Sequence, residues 1–211
     1  HDTVRILLLV EGRACFRCDG QEWRFTERTS FVPAPDSDLE VAAENDLQLL
    51  EIQWKLDEAD FRELKGFGTK FPLVQNYLAS IQYRDRNKSD KTISRLVLEQ
   101  RNVPRFCMGS VESYGPDLVA PHPHPMLDQF FFSFPENETE LIIDGERMPM
   151  GGNVLLHIPL GSNHGVEVFE GRHMHYMWID FIIGESGMKR LDTSHIPTGT
   201  MRSFDREGRS C

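Results

Sequence analysis

The stretch His122-Pro123-His124-Pro125-Met126-Leu127-Asp128-Gln129-Phe130-Phe131-Phe132 carries two imidazoles two residues apart. On an extended strand, residues so spaced point the same way. Gln129 follows five residues after the second His, and an apolar run, Phe130 to Phe132, follows at once. Forty residues beyond His124, Pro159-Leu160-Gly161-Ser162-Asn163-His164 delivers another imidazole after a Pro/Gly turn. Three histidines and one oxygen donor, supplied from two strands, suit a divalent metal, and Mn, Fe, Ni and Zn all fit such a set. The oxygen donor is Gln129 or its neighbour Asp128.

Working outward, the surroundings read as short strands. Asp144-Gly145 is a strong hairpin turn, and so is Asp19-Gly20. Residues 4–10, 13–18, 22–26, 39–43, 47–54, 92–98 and 106–114 have strand character, at a spacing that suggests an all-β sandwich or barrel. Residues 57–66 read as a short capped helix ending at Gly66. The second half repeats the first: Asp19-Gly20 corresponds to Asp144-Gly145, Val32-Pro33 to Ile158-Pro159, and Trp54 to Trp178. A repeat of this size means two copies of one β-domain. The expected organisation is a first β-domain over 1–58, shortened at its front, and a connection over 59–104. The second domain spans 105–184, and a surface tail spans 185–211. Only one of the eight histidines, His1, precedes residue 122, so the metal chemistry belongs to the second copy.

Composition narrows the partners. The 211 residues carry a net charge of −10, which disfavours nucleic acid and anionic membrane. No apolar run reaches the roughly 18 residues of a membrane helix. Cys15-Phe16-Arg17-Cys18 has C-x-x-C spacing, but a hairpin turn follows it and no partner pair lies near; it reads as free thiols on a strand in a reducing compartment, with a cytoplasmic location expected.

The pattern His122-x-His124-x4-Gln129, then Pro159-x-Gly161-x2-His164, resembles the two-motif signature of the cupin superfamily. Three departures stand out. Gln129 occupies the usual Glu position, the glycine closing the first motif is delayed to Gly145, and Val168 stands where the second motif ends in Asn. With its internal repeat, the chain resembles a bicupin. The resemblance implies a double-stranded β-helix (jelly roll) in each half and one divalent metal on His122, His124, His164 and Gln129. It also implies a bulge that turns Gln129, not Asp128, inward, and a homodimer. It further implies an enzyme acting on a small oxygenated or carboxylated metabolite, with sugar-acid isomerase-like proton transfer favoured. An iron-dependent dioxygenase and a non-catalytic small-ligand binder are the alternatives.

Other candidates follow from strand alternation. Tyr176, Trp178 and Asp180 share one face of their strand, so Asp180 and Tyr176 are acid/base candidates and Trp178 a substrate contact. Arg105, with Arg95 and Arg101, flanks the strand leading into the site and suits a carboxylate or phosphate. The second pair, His173 and His175, falls on the opposite face and is expected to point outward. His157 is expected outside the ligand set, and His195 in the tail.

Overall fold

The computed structural model describes residues 2–124, 126–205 and 207–211, and most of its elements are strands. The chain divides into two compact units, residues 1–80 with 101–104, and residues 81–100 with 105–211.

The first unit holds β1 (Thr3–Glu11), β2 (Ala14–Cys18), β3 (Gln21–Phe25), β4 (Thr29–Val32), β5 (Leu39–Ala43) and β6 (Gln48–Lys55), then α1 (Glu58–Phe67) and β7 (Leu73–Asn76). Its two sheets run in the orders β6-β1-β4-β7 and β3-β2-β5. Asp19 and Gly20 both take positive φ, as a tight two-residue hairpin requires. Phe16 from β2 meets Phe25 and Phe31 edge-on, with ring centroids 5.2 Å apart in each pair. Cys15 and Cys18 are buried free thiols on β2. Asp57 caps α1 through the backbone N–H groups of Ala59 and Asp60, and Asp60 returns the bond to Asp57. The helix passes through Gly66 and ends at Gly68, the glycine whose left-handed φ of 67° closes it.

The second unit holds β8 (Ile81–Arg84), β9 (Ile93–Val103), β10 (Phe106–Tyr114), β11 (Asp117–His122), β12 (Leu127–Ser133) and β13 (Thr139–Ile143). It continues with β14 (Glu146–Met150), β15 (Leu155–Ile158), β16 (His164–Val168), β17 (His173–Ile182), α2 (Glu185–Ser194) and β18 (Ile196–Pro197). A seven-stranded sheet, β15-β12-β17-β10-β9-β8-β18, packs on a four-stranded sheet, β11-β16-β13-β14. The core between them takes Phe131, Tyr176 and Trp178 from the larger sheet and Val119, Leu141 and Val166 from the smaller.

The sequence repeat is also a repeat of connectivity. The order β4-β1-β6 with β5-β2-β3 matches β15-β12-β17 with β16-β13-β14. β1 therefore corresponds to β12 and β6 to β17. The strand carrying His122, β11, pairs with β16, whereas the sheet of the first unit ends at the corresponding strand, β5.

Two expected boundaries move. Residues 59–104 are not a connection: α1 and β7 belong to the first unit, β8 and most of β9 to the second. Residues 185–211 are not a loose surface tail. They form α2, pair β18 with β8, and hang on Gln82, whose side chain donates to Arg202 O and accepts from Arg202 N–H. β8 has four residues and β18 two. Segments so short leave no usable period in a sequence. No helix among the described residues is long and apolar enough to cross a membrane.

Gly109 fixes Trp178 in place. A Cβ there would lie 2.3 Å from the indole and 2.4 Å from Arg95 O. Gly109→Ala is expected to destabilise the fold by about 1–3 kcal/mol through overpacking. It should also perturb the tryptophan fluorescence of the native state; denaturant melts of the two proteins provide the comparison.

Candidate metal centre

The centre is built where β11 meets β16. His122 closes β11, directly opposite His164 at the start of β16. The ladder shifts register between Val119 and His122. His124 does not share the strand with His122, as alternation alone suggested; it lies just past the strand end. Proline explains this, because Pro121 and Pro123 have no N–H with which to continue a ladder. The irregular turn still gathers the rings, with centroids 4.6 Å apart for His122–His124, 5.3 Å for His122–His164 and 5.2 Å for His124–His164. Their ring nitrogens lie within 4.8 Å of one another.

Two tautomers are set by the backbone. His122 Nδ1 donates to Ala120 O at 2.8 Å and His164 Nδ1 to Ser162 O at 3.1 Å. A carbonyl can only accept, so each ring keeps Nε2 as a lone pair. Desolvation works against the charged form of all three imidazoles. It lowers His122, takes His164 down to about 4 against the pull of the Ser162 carbonyl, and takes His124 down to about 2 with help from the two neighbouring rings.

Alternation along β12 settles which oxygen faces in. Gln129 is buried and lines a cavity of about 30 Å³ with the three histidines, whereas Asp128 faces out and bonds His157 Nε2 at 2.7 Å. The Gln129 amide is oriented by Asp180, which accepts from Nε2 at 2.6 Å. Oε1 is left buried with no partner, and so is His124 Nδ1. A buried orphan acceptor costs about 1–3 kcal/mol. Orphaned polar atoms beside three neutral imidazoles are what a cation would satisfy, so these residues fit a metal.

Trp178, Tyr176 and Asp180 line the same cavity. Trp178 donates from Nε1 to Tyr83 Oη at 3.0 Å, and Tyr176 packs on Phe131. Burial raises Asp180 to about 7, opposed by Gln129 and Lys88, and raises Tyr176 above its ordinary range. Arg105 does not join them. It occupies the turn between β9 and β10 with φ 54°, and lines neither this cavity nor the larger one. Arg95 is fully buried against Glu112. His173 and His175 do point away from the barrel interior, but not to open solvent: His175 is only 3% exposed.

Four residues of the cavity wall come from segments read as connection and tail. Tyr83 lies on β8, Asp85 and Lys88 follow it, and His195 follows α2, its ring against both Tyr83 and Trp178. Lys88 Nζ donates to Tyr83 Oη at 2.8 Å. Although part of its surface remains accessible, desolvation lowers Lys88 to about 8, opposed by Asp85 and Asp180. In the sequence these residues were hidden in a charged patch and beside an isolated His, neither of which carries a period.

Tyr83, Asp85 and Lys88 also border a second, open cavity of about 970 Å³. Its wall brings Arg84, Arg86, Lys88, Lys189, Arg190 and Arg202 together against only Asp85 and Asp90. In a chain of net charge −10 this is a local reversal of sign.

The neutral histidines give a sign to the pH dependence. Their folded pKa values lie below the unfolded value near 6.5, so between the two the unfolded chain binds more protons. The metal-free protein is therefore expected to lose stability as pH falls from about 6.5 toward 4. His124→Asn should flatten that slope; urea melts across the range measure both.

No protein-family model matches the sequence, and no curated protein matches it either. Solved structures do. A Pseudomonas aeruginosa protein named as glyoxylate-induced matches with a TM-score of 0.72 at 10% identity, over 87% of this chain and 68% of that one. A cupin 2 conserved barrel domain protein from Leptotrichia buccalis matches with a TM-score of 0.57 at 15% identity, over 85% of this chain and 73% of that one. Oxalate decarboxylase from Bacillus subtilis matches with a TM-score of 0.62 at 11% identity, over 87% of this chain and 63% of that one. At these identities the likeness is one of fold: the chain has the fold of cupin proteins.

Proposed function

We propose that the chain is a metal-dependent bicupin enzyme that moves a proton on a small carboxylated metabolite, in the manner of a sugar-acid isomerase. One observation carries the reading. Three neutral histidines and the orphaned Gln129 oxygen meet at the foot of a cationic cleft, and Lys88 stands between the two. The matched strand orders of the two units support two cupin copies, one of which has ligands.

His122, His124, His164 and Gln129 would hold the ion. A divalent metal bound there supplies Lewis acidity toward a carbonyl or enediol oxygen. The small cavity has room for little more than one water-sized group beside the ligands, so a substrate would occupy the open cleft and present one end. Arg84, Arg86, Lys189 and Arg190 give that cleft its attraction for a carboxylate. Glyoxylate and oxalate, which appear in the names of two structural neighbours, are both small carboxylates. Lys88 is the group placed to move the proton, because an amine near 8 can both accept and donate around neutral pH. Asp180 holds the Gln129 amide in place, and Tyr176, kept protonated by burial, forms part of the wall.

The test is deuterium exchange. Protein loaded in turn with Mn, Fe, Ni or Zn is incubated in D2O with uronates and keto-sugar acids, and the carbon next to the carbonyl is followed by NMR. Exchange is expected, with kcat/KM rising through pH about 8 as the Lys88 amine becomes free. Lys88→Gln should remove that limb and slow exchange by roughly 10²–10⁴-fold, the usual contribution of a general base. Oxygen consumption with no exchange would favour a dioxygenase. Binding with neither would favour a non-catalytic binder.

A further inference from the structure

His173-Met174-His175 lies on β17 with its imidazoles on the face opposite Tyr176, Trp178 and Asp180. β10 runs beside it, and the register sets Glu112 across from His175 and Tyr114 across from His173. The two histidines and Glu112 thus share one side of one strand pair, outside the barrel and apart from the residues that line its cavity.

The chemistry of each group is fixed by its neighbours. His175 Nδ1 lies 2.6 Å from Glu136 Oε1. A carboxylate accepts, so Nδ1 carries the proton, and Nε2 is the nitrogen turned toward Glu112, 4.0 Å from its Oε2. A carboxylate behind an imidazole is also the common support of a metal-binding His. His173 Nε2 is buried without a hydrogen bond, 3.4 Å from Glu112 Oε1. Its ring plane is held by Tyr114, stacked at 4.0 Å and 12°, and Phe204 packs on the far ring. Arg95 Nη1 bonds Glu112 Oε2 at 2.6 Å, leaving Oε1 as the oxygen nearer His173. One ligand atom from each of the three residues lies within 4.8 Å of the others.

We propose that Glu112, His173 and His175 form a second divalent-metal site, on the outer face of the barrel. Two imidazoles and one carboxylate are a ligand set of the zinc, cobalt and nickel class, and three protein ligands leave a position open to water. Arg95 makes the site weaker than the same ligands would be alone. Glu112 and Glu136 together still outweigh its single charge, so a divalent cation meets a local charge of −1. Bound there, the ion would join β10 to β17 and hold the ring of His173 under Tyr114, against which Gly208 of the C-terminal turn also lies.

The experiment counts cobalt. The full chain carrying His122→Ala and His164→Ala, which lacks the barrel ligands, is titrated with Co2+ and read by its visible absorption and by elemental analysis. One ion per chain is expected, and adding His173→Ala should abolish it. No uptake by the double variant, or uptake unchanged by His173→Ala, overturns the proposal. Should the double variant fail to fold, the wild-type chain is compared with His173→Ala alone. A count lower by one supports the site whether or not the barrel binds metal, and an equal count overturns it.

Discussion

The hydrogen bond from Gln129 Nε2 to Asp180 Oδ1 joins β12 to β17, neighbours in the larger sheet, and sets the floor of the site. Both groups are buried, so neither can exchange its partner for water. The bond decides which end of the amide faces the histidines, and it leaves Oε1 as the acceptor. It also keeps some anionic character on Asp180 against a strong desolvation. Where a Glu would offer a charge to a bound ion, this chain would offer a neutral oxygen with the Asp180 carboxyl behind it.

The cleft above that floor is assembled from pieces with little individual stability. The stretch after β8 supplies Asp85 and Lys88, and α2 supplies Lys189 and Arg190. Backbone hydrogen bonds and the two-residue β18 hold the C-terminal segment, through Gln82 and Thr198. Segments held by few buried apolar contacts open at low cost. The barrel behind them is closed by an apolar core from both sheets and provides rigid support for the imidazoles.

The two faces of β17 show how one strand can serve two chemistries. Even-numbered residues, Tyr176 to Asp180, face the cavity, and His173 and His175 face Glu112 on the other side. The period of two separates them completely. A one-residue slip would exchange the sets, so the apolar packing of Trp178 against Gly109 protects both.

The sequence by itself determined the all-β class, the internal repeat and the three inner histidines. Each rests on a local rule: Asp-Gly turns, alternation, and the spacing of residues around a turn. It also placed Tyr176, Trp178 and Asp180 on one face, because that face follows from parity alone. What only the tertiary structure decided is who meets whom across strands. The departure of His124 from its strand came from the missing N–H of proline, and the orientation of Gln129 came from a partner 51 residues away. Lys88 and His195 reached the site through short pairings whose free energy lies in long-range contacts and leaves no period in the chain. Arg105 was drawn away by a turn with positive φ, and the second histidine pair was buried by Glu112 and Tyr114 on the neighbouring strand. Local order is written in neighbouring residues, but a site is a juxtaposition of distant ones, and only packing supplies it.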